Sequence, residues 1–151
     1  MIYDLKTGSA HAQRDKVQAL LDLNYEELAQ DKAMMKLDPD WDRYKFLEDE
    51  GKLFTVLAYD EGDTLVGYSV NVIDNSLHYR QLLLSSNDVI FLHPSHRGAR
   101  LGNALIDKTE EASKAMGAHG HIWHAKPATP LEHLLRAREY PVLDILRLKK
   151  F

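Results

Sequence analysis

The 151-residue chain is 44% hydrophobic and 28% charged, which excludes disordered and collagen-like classes and fits an ordinary folded domain. It has no cysteine, so disulfides, thiolate metal sites, iron–sulfur ligation and a cysteine nucleophile are excluded, and no apolar run nears the roughly 18 residues that span a bilayer. The net charge of −4 is uneven: residues 1–90 carry 9 basic and 17 acidic side chains, a net of −8, and residues 91–151 carry 10 and 6, a net of +4. Halves of opposite sign point to one anionic and one cationic partner. The first six residues include Asp4 and lack the apolar core of a signal peptide, so a soluble, cytoplasmic protein is expected.

Residues 2–5 read as a short first strand, and Thr7-Gly8-Ser9 as a turn with capping chemistry. Val17, Leu20, Leu21, Tyr25 and Leu28 recur three and four residues apart, the pattern of an amphipathic helix. A second helix is bounded by Asp38 as N-cap, Pro39 in its first turn and Gly51 at its end, with Trp41, Tyr44 and Leu47 on its apolar side. Residues 53–59 and 64–73 are β-rich runs around the turn Asp60-Glu61-Gly62-Asp63, a hairpin with Gly67 at a bulge. Residues 88–93 form the next strand, which Pro94 ends because proline cannot donate to a ladder. Leu101, Ala104, Leu105, Ala112 and Met116 outline a long helix closed by Gly117. A strand over 119–124, a short helix over 131–138 and a last strand over 142–148 complete the order β-α-α-β-β-β-α-β-α-β. Without repeats or linkers, residues 1–151 read as one domain of α+β class. Its sheet is mixed and mostly antiparallel, with a central parallel pair joined by a crossover helix and helices on both faces.

The stretch that carries chemistry is a strand ending at Leu92, the turn His93-Pro94-Ser95-His96-Arg97-Gly98-Ala99-Arg100, and the helix beginning near Leu101-Gly102-Asn103. The first turn of a helix leaves N–H groups without partners and carries partial positive charge. Glycine lets a ligand approach that backbone, and arginine adds charge-assisted bonds to phosphate. A phosphate or pyrophosphate cradle is the functional reading; a tight turn with solvated arginines is the alternative. The P-loop is excluded because Asn103-Ala104 follows Gly102, and the spacing of Gly98 and Gly102 does not fit the dinucleotide fingerprint.

Arg97-Gly98-Ala99-Arg100-Leu101-Gly102 resembles the Arg/Gln-x-x-Gly-x-Gly/Ala motif of the GNAT acetyltransferase family. It matches at the first and sixth positions and departs at the fourth, where Arg100 replaces glycine. The preceding strand and proline turn, the following helix and the element order are similar to the family over nearly the whole chain. The size and the segment 87–94 look most like small phage-encoded members.

The resemblance implies an acyl-CoA N-acyltransferase that uses acetyl-CoA as cosubstrate and a primary amine of a small molecule or protein as acceptor, with no metal. It implies pantetheine contacts at Phe91 and Leu92, and pyrophosphate contacts at Arg97, Gly98, Ala99, Arg100, Leu101, Gly102 and Asn103. Gly102→Glu is accordingly expected to lose acetyl-CoA. Two rival roles stay open: a non-catalytic, host-directed interaction protein on the same fold, and an acetylating antagonist of a host macromolecule. A homodimer also stays open.

The family commonly places a carboxylate base on the fourth strand, and the aligned residue here is Ser86. Asp88, two residues on and on the same face by the pleat, and His78, in the preceding loop, are the candidate catalytic bases. The tyrosine that the family often uses as acid aligns with Leu135, so an acid is missing or comes from elsewhere, His124 and His133 being substitutes. The acids of the second helix suggest a cationic acceptor. His119, His121 and His124 read as strand histidines in preference to a metal site, there being no His-Glu-x-x-His motif. A Gly-x-Ser-x-Gly elbow is absent, which argues against a serine hydrolase. Nucleic acid is disfavoured because Arg136, Arg138, Arg147, Lys149 and Lys150 lack interleaved aromatics.

Overall fold

Residues 53–59 and 65–75 are rich in β-branched and aromatic side chains, and they become the central strands of a five-stranded sheet in the computed structural model. The structure describes the backbone of residues 1–151 and every side chain but that of Ala99. The strands are β1 (Asp4–Gly8), β2 (Leu53–Tyr59), β3 (Leu65–Asn75), β4 (Leu83–Leu92) and β5 (Gly120–Ile122), hydrogen-bonded in that order. The first four pair antiparallel, and β5 joins β4 in parallel. β2 is buried along its whole length, as a strand covered on both faces must be.

The covering helices are α1 (Arg14–Leu28) and α2 (Trp41–Asp49) on one face, and α3 (Ala99–Ala115) with α4 (Pro130–Ala137) on the other. α1 presents Val17, Leu20 and Leu21 to Leu53, Leu57, Tyr68, Val70 and Phe91, and α2 adds Trp41, Tyr44 and Leu47. On the opposite face Leu105 and Ala112 of α3 pack with Phe54, Val56 and Ile73, while Leu101 meets Ala58 and Val66. This is the expected α+β architecture, with a mostly antiparallel sheet, a parallel pair linked by α3, and helices on both faces.

Several boundaries differ from the sequence reading, each because a distant partner decides it. The cap of α2 is Asp40, whose carboxylate accepts from Arg43 N at 2.9 Å, so Asp38 and Pro39 precede the helix. Gly51, at φ +68°, ends it as expected. β1 lies over Asp4–Gly8 and not 2–5, because pairing with Thr55 to Tyr59 sets its register. β4 starts at Leu83, five residues before the expected Asp88. Its polar Ser85, Ser86 and Asn87 have little strand preference, but β3 holds them throughout and β5 holds the first two. Val66 is the extra residue of a bulge beside Gly67, whose backbone passes so close to β4 that a Cβ there would lie 3.0 Å from Phe91 O. β5 keeps only three of the six expected residues. The strand expected over 142–148 does not form: 141–151 is exposed and joins no ladder, and a strand needs one.

Candidate active site

The site follows from a mismatch in strand length. β4 and β5 pair at Leu84–Gly120, Ser85–His121 and Ser86–Ile122; β5 then ends while β4 continues to Leu92. From Asn87 onward the β5 side of β4 has no strand partner, and this unpaired junction between β4 and the segment after β5 is termed the V. Inside that V a second bulge lies in β4: Asn71 pairs Asn87 and Val70 pairs Val89, leaving Asp88 as the extra residue. The bulge is pinned from within. The buried Asn87 amide donates to Asn71 Oδ1 at 3.0 Å, Val89 O at 3.1 Å and Ser69 Oγ at 3.2 Å. Three fully buried polar side chains side by side are tolerated because they bond one another.

At the far end of β4, His93 accepts from Ser95 N and caps a single 3-10 turn (Pro94–His96), after which α3 begins. Gly98 is the N-cap of α3 in extended conformation (φ 172°) and makes no side-chain cap bond to the first-turn donors. A Cβ at Gly98 would meet nothing within 4 Å; Arg100 is exposed, and Leu101 is buried in the core below. The expectation for Ala99 falls on a residue whose side chain lies outside the described residues.

The other motif side chains turn elsewhere. The Arg97 guanidinium grips Glu27 of α1 through two bonds of 2.7 and 2.5 Å, donates from Nε to Leu92 O, and lies 5.2 Å over the Phe91 ring. That grip holds the Glu27 carboxyl below the usual carboxylate range. Gly102 is buried, and a Cβ there would stand 3.0 Å from Leu134 Cδ1, so this glycine lets α4 pack on α3. Asn103 Oδ1 accepts from Arg138 at 2.8 and 3.0 Å, and Arg138 also holds Asp107. Phe91 is core packing against Tyr68 with its carbonyl on the β3 side near Gly67, while the Leu92 side chain packs toward α3 and its carbonyl accepts from Arg97 Nε.

α1 ties the two walls of the V together. Its Glu27 holds the turn after β4, and its Leu28 carbonyl accepts from Lys126 in the segment after β5 at 2.8 Å. On the same face Tyr44 of α2 packs on Trp41 with ring centroids 4.7 Å apart. Burial pushes the Tyr44 phenol up to about 12, and the charges of Asp88 and Glu48 push the same way, so Asp88 stands near it. The bulge breaks the pleat on which the sequence argument for Asp88 relied, and its exposed carboxylate is felt as charge by the Tyr44 phenol. His78 is exposed in the loop before β4, with the paired stretch from Leu83 between it and the V, and the fold does not bring it to Asp88.

Tyr44, Glu27 and Arg138 were not among the sequence-derived site residues. The only local signal was the Trp41/Tyr44 spacing on one helix face. The acids of α2 are partly committed: Asp40 caps, Asp49 pairs Lys45, and Glu48 accepts from Ser9 Oγ and His11 N. Leu135 is half-buried on α4, and the nearby Tyr140 hydroxyl is bound to Glu110 and Arg138. Of the three histidines, His119 accepts from Leu83 N, His121 bonds Ser85 Oγ at 2.6 Å, and His124 is exposed.

The model of the acetyltransferase (GNAT) family matches residues 15–138, a span that holds the V, the Arg97–Asn103 turn and both helices packed behind it. The chain belongs to the GNAT acetyltransferase family. Among solved structures it is similar to a ribosomal-protein-alanine N-acetyltransferase from Brucella melitensis biovar Abortus 2308, with 18% identity, 99% of each chain covered and a TM-score of 0.73. A glucosamine-6-phosphate N-acetyltransferase from Arabidopsis thaliana aligns at 13% identity over 100% of this chain and 99% of the other, with a TM-score of 0.73. A putative acetyltransferase from Pyrococcus furiosus aligns at 17% identity over 99% and 100%, with a TM-score of 0.70. At these identities the likeness is one of fold. No curated protein matches. As a GNAT protein the chain is an acyl-CoA N-acyltransferase, and enzymes of this family use acetyl-CoA as cosubstrate. No helix is long and apolar enough to cross a membrane.

Proposed function

We propose that the chain transfers an acetyl group from acetyl-CoA to a primary amine on a small molecule or a protein. The observation that carries this reading is the start of α3 at Gly98, without a side-chain cap, following a strand β4 that outruns its parallel partner β5. The residues present suit the cosubstrate. A helix N-terminus with open space at its N-cap attracts pyrophosphate, and the alternate residues of β4 that turn away from β3 beyond Ser86 offer backbone groups to an amide-bearing pantetheine arm. Within the stretch from Arg97 to Asn103, the backbone at Gly98 to Leu101 is assigned to the pyrophosphate, since the N–H groups of Arg97 and Gly102 already donate to Pro94 O and Gly98 O, and the exposed Arg100 side chain is assigned to outer phosphates. Of Phe91 and Leu92, only Leu92 turns backbone away from β3, and Phe91 acts from the core. Arg97 and Asn103 act through structure, one by locking the turn to α1 and the other by locking α4 to α3.

Bound there, acetyl-CoA supplies an activated acyl carbon, and the chain must orient an amine and take its proton. Asp88 is the assigned base, supported by its place as the extra, exposed residue of the β4 bulge and by its charge effect on the Tyr44 phenol. His78, the other sequence candidate, is the second choice on position alone. The Tyr44 phenol keeps its proton at neutral pH and can donate a hydrogen bond to an acceptor entering beside Trp41. An amine that arrives as an ammonium meets Asp88 and an aromatic pair, both of which favour a cation.

Gly98→Asp tests the reading without damaging the fold. An aspartate at this N-cap would take the free donors and stabilise the helix by up to about 1 kcal/mol, while its charge would repel pyrophosphate. Calorimetry should show acetyl-CoA affinity falling at least tenfold with the melting temperature unchanged or raised. Unaltered affinity would remove the cradle from α3. Gly102→Glu is a poorer probe, because its side chain would strike Leu134 whatever the ligand does.

A further inference from the structure

A recess of about 510 Å³ opens beside the start of β1 and the β2–β3 turn, at the edge of the sheet opposite β5. Ile2, Tyr3 and Tyr59 give it apolar walls, and the carboxylates of Asp4, Asp60, Glu61 and Asp63 stand around it. The chain uses these acids only in part. Asp60 Oδ1 accepts from Gly62 N and Thr64 N, both at 2.9 Å, which closes the turn. Glu61 Oε1 accepts from Ile2 N at 2.7 Å, and Asp4 pairs with Lys6 at 3.2 Å. Among the described residues, Asp63 makes no side-chain hydrogen bond or ion pair, and Lys6 alone among basic side chains pairs with any of the four. The recess therefore holds an excess of negative charge.

Tyr59 is an independent sign of a missing occupant. It is only 5% exposed, and its ring packs in the core with Leu65 and Tyr68. Its hydroxyl is nevertheless neither sealed from the recess nor hydrogen-bonded to any described residue. Buried tyrosine hydroxyls normally find a partner. Burial raises the phenol pKa, Lys6 opposes the rise, and Asp63 and Asp4 add to it, so both carboxylates act on this hydroxyl. Tyr3 differs, because its hydroxyl lies 3.3 Å from His96 Nδ1 and only its ring is left for the recess.

We propose that this recess binds a short aliphatic diammonium ion. One ammonium meets Asp63 and the Tyr59 hydroxyl, the other meets Asp60 and Glu61, and the methylenes lie along Ile2 and Tyr3. Each ammonium brings three donors to oxygens that only accept or can accept. A bare metal ion suits the place less, since among the described residues no three histidine, aspartate or glutamate side chains are grouped to hold one. The same carboxylates repel phosphate, which keeps the recess distinct from the start of α3. This inference stands apart from the acetyl-transfer reading and is tested without acetyl-CoA.

Calorimetry at low ionic strength, with 1,4-diaminobutane as the probe, should show saturable binding of one equivalent per chain. Butylamine, with a single ammonium, should bind at least tenfold more weakly. Asp63→Asn removes the charge and keeps a residue that tolerates the φ of +60° at this position. It should weaken binding tenfold or more, and Tyr59→Phe, which removes only the hydroxyl, at least threefold. Glu111→Gln on α3 removes the same charge elsewhere and should change nothing. Amide shifts on adding the probe should centre on residues 2–4 and 59–63. No saturable heat, equal binding of butylamine, or binding that survives either recess variant overturns the proposal. Equal weakening in Glu111→Gln reveals a general counterion effect and overturns it as well. Should Tyr59→Phe fail to fold, Asp63→Asn, on an exposed turn, decides the outcome.

Discussion

Asp88 acquires its place through a single extra residue in β4. Without the bulge it would be one more position in an alternating strand; with it, an exposed carboxylate stands near the Tyr44 phenol of α2. Asp88→Asn should therefore do two measurable things. With an acceptor found in an amine panel, kcat should fall about 10²- to 10⁴-fold, the usual contribution of a positioned base, while His78→Ala keeps its rate. Independently of any acceptor, alkaline ultraviolet titration should show Tyr44 ionising below its present value of about 12, since one nearby negative charge is gone. Full turnover in Asp88→Asn would return the role to His78 or to water. His121 makes a different prediction. Burial, helped by the charge of His124, pulls its pKa from 6.5 to about 4, and its Nδ1 lies against Ser85. The fold favours neutral imidazole, so between pH 6.5 and 4 the unfolded chain binds the extra proton. Stability should be complete above 6.5 and decline as pH falls through that window, by at most about 3 kcal/mol at 1.36 kcal/mol per unit and less where solvent reaches the ring. Urea melts of the wild type and His121→Asn check this: the variant should lose most of the slope.

The cradle depends on how α3 and α4 meet. Gly102 removes the side chain that would separate them, Leu134 fills the gap, and Arg138 ties the end of α4 to Asn103 and Asp107. The neighbouring glycines of one motif thus sit in unlike surroundings, Gly98 with open space around its Cβ position and Gly102 leaving room for a helix. Gly102→Val should overpack this junction and cost about 1–3 kcal/mol in chemical denaturation. Gly98→Val should cost little, since its φ of 172° suits any residue and the space around its Cβ is open. Equal losses at the two positions would contradict this division of labour. β4 shows the same dependence at the level of a strand. Its register, bulge and free edge exist because β3 runs alongside it throughout and β5 stops early.

For the whole molecule, acetyl-CoA bound at the proposed site at the start of α3 would draw together elements from distant parts of the chain. α1 already clamps both walls of the V through Arg97 and Lys126, so a ligand between them adds its binding energy to a folded unit that the unfolded chain lacks. By mass action, acetyl-CoA at 100 times its dissociation constant should raise stability by about 2.7 kcal/mol, which for a domain of this length is a melting shift of roughly 5–10 °C. Scanning fluorimetry with and without ligand measures it. The shift should shrink with added salt, because the proposed site meets the phosphates with exposed charge and helix-end donors, which a Debye length of about 8 Å at physiological ionic strength already screens. A melting temperature indifferent to acetyl-CoA would mean that no such site is formed.

What the amino-acid sequence determined by itself is whatever short-range chemistry controls. Val17, Leu20 and Leu21 at helical spacing, the turn from Asp60 to Asp63, the proline after β4, and glycine at the start of α3 each act over a few residues, and together they carry the element order and the location of the cradle. The tertiary structure alone decided which atoms of that cradle face outward. Arg97 looks like a phosphate ligand in sequence, but its partner Glu27 is 70 residues away. Gly102 answers to Leu134, and Asn103 to Arg138. The same holds for the bulge at Asp88, which is a property of two strands, and for the segment 142–148, whose strand-like composition fails to make a strand because pairing requires a partner. Local pattern fixes conformation where the interacting groups are neighbours; where they are far apart in the chain, only the fold can say which groups are already taken and which are left for a ligand.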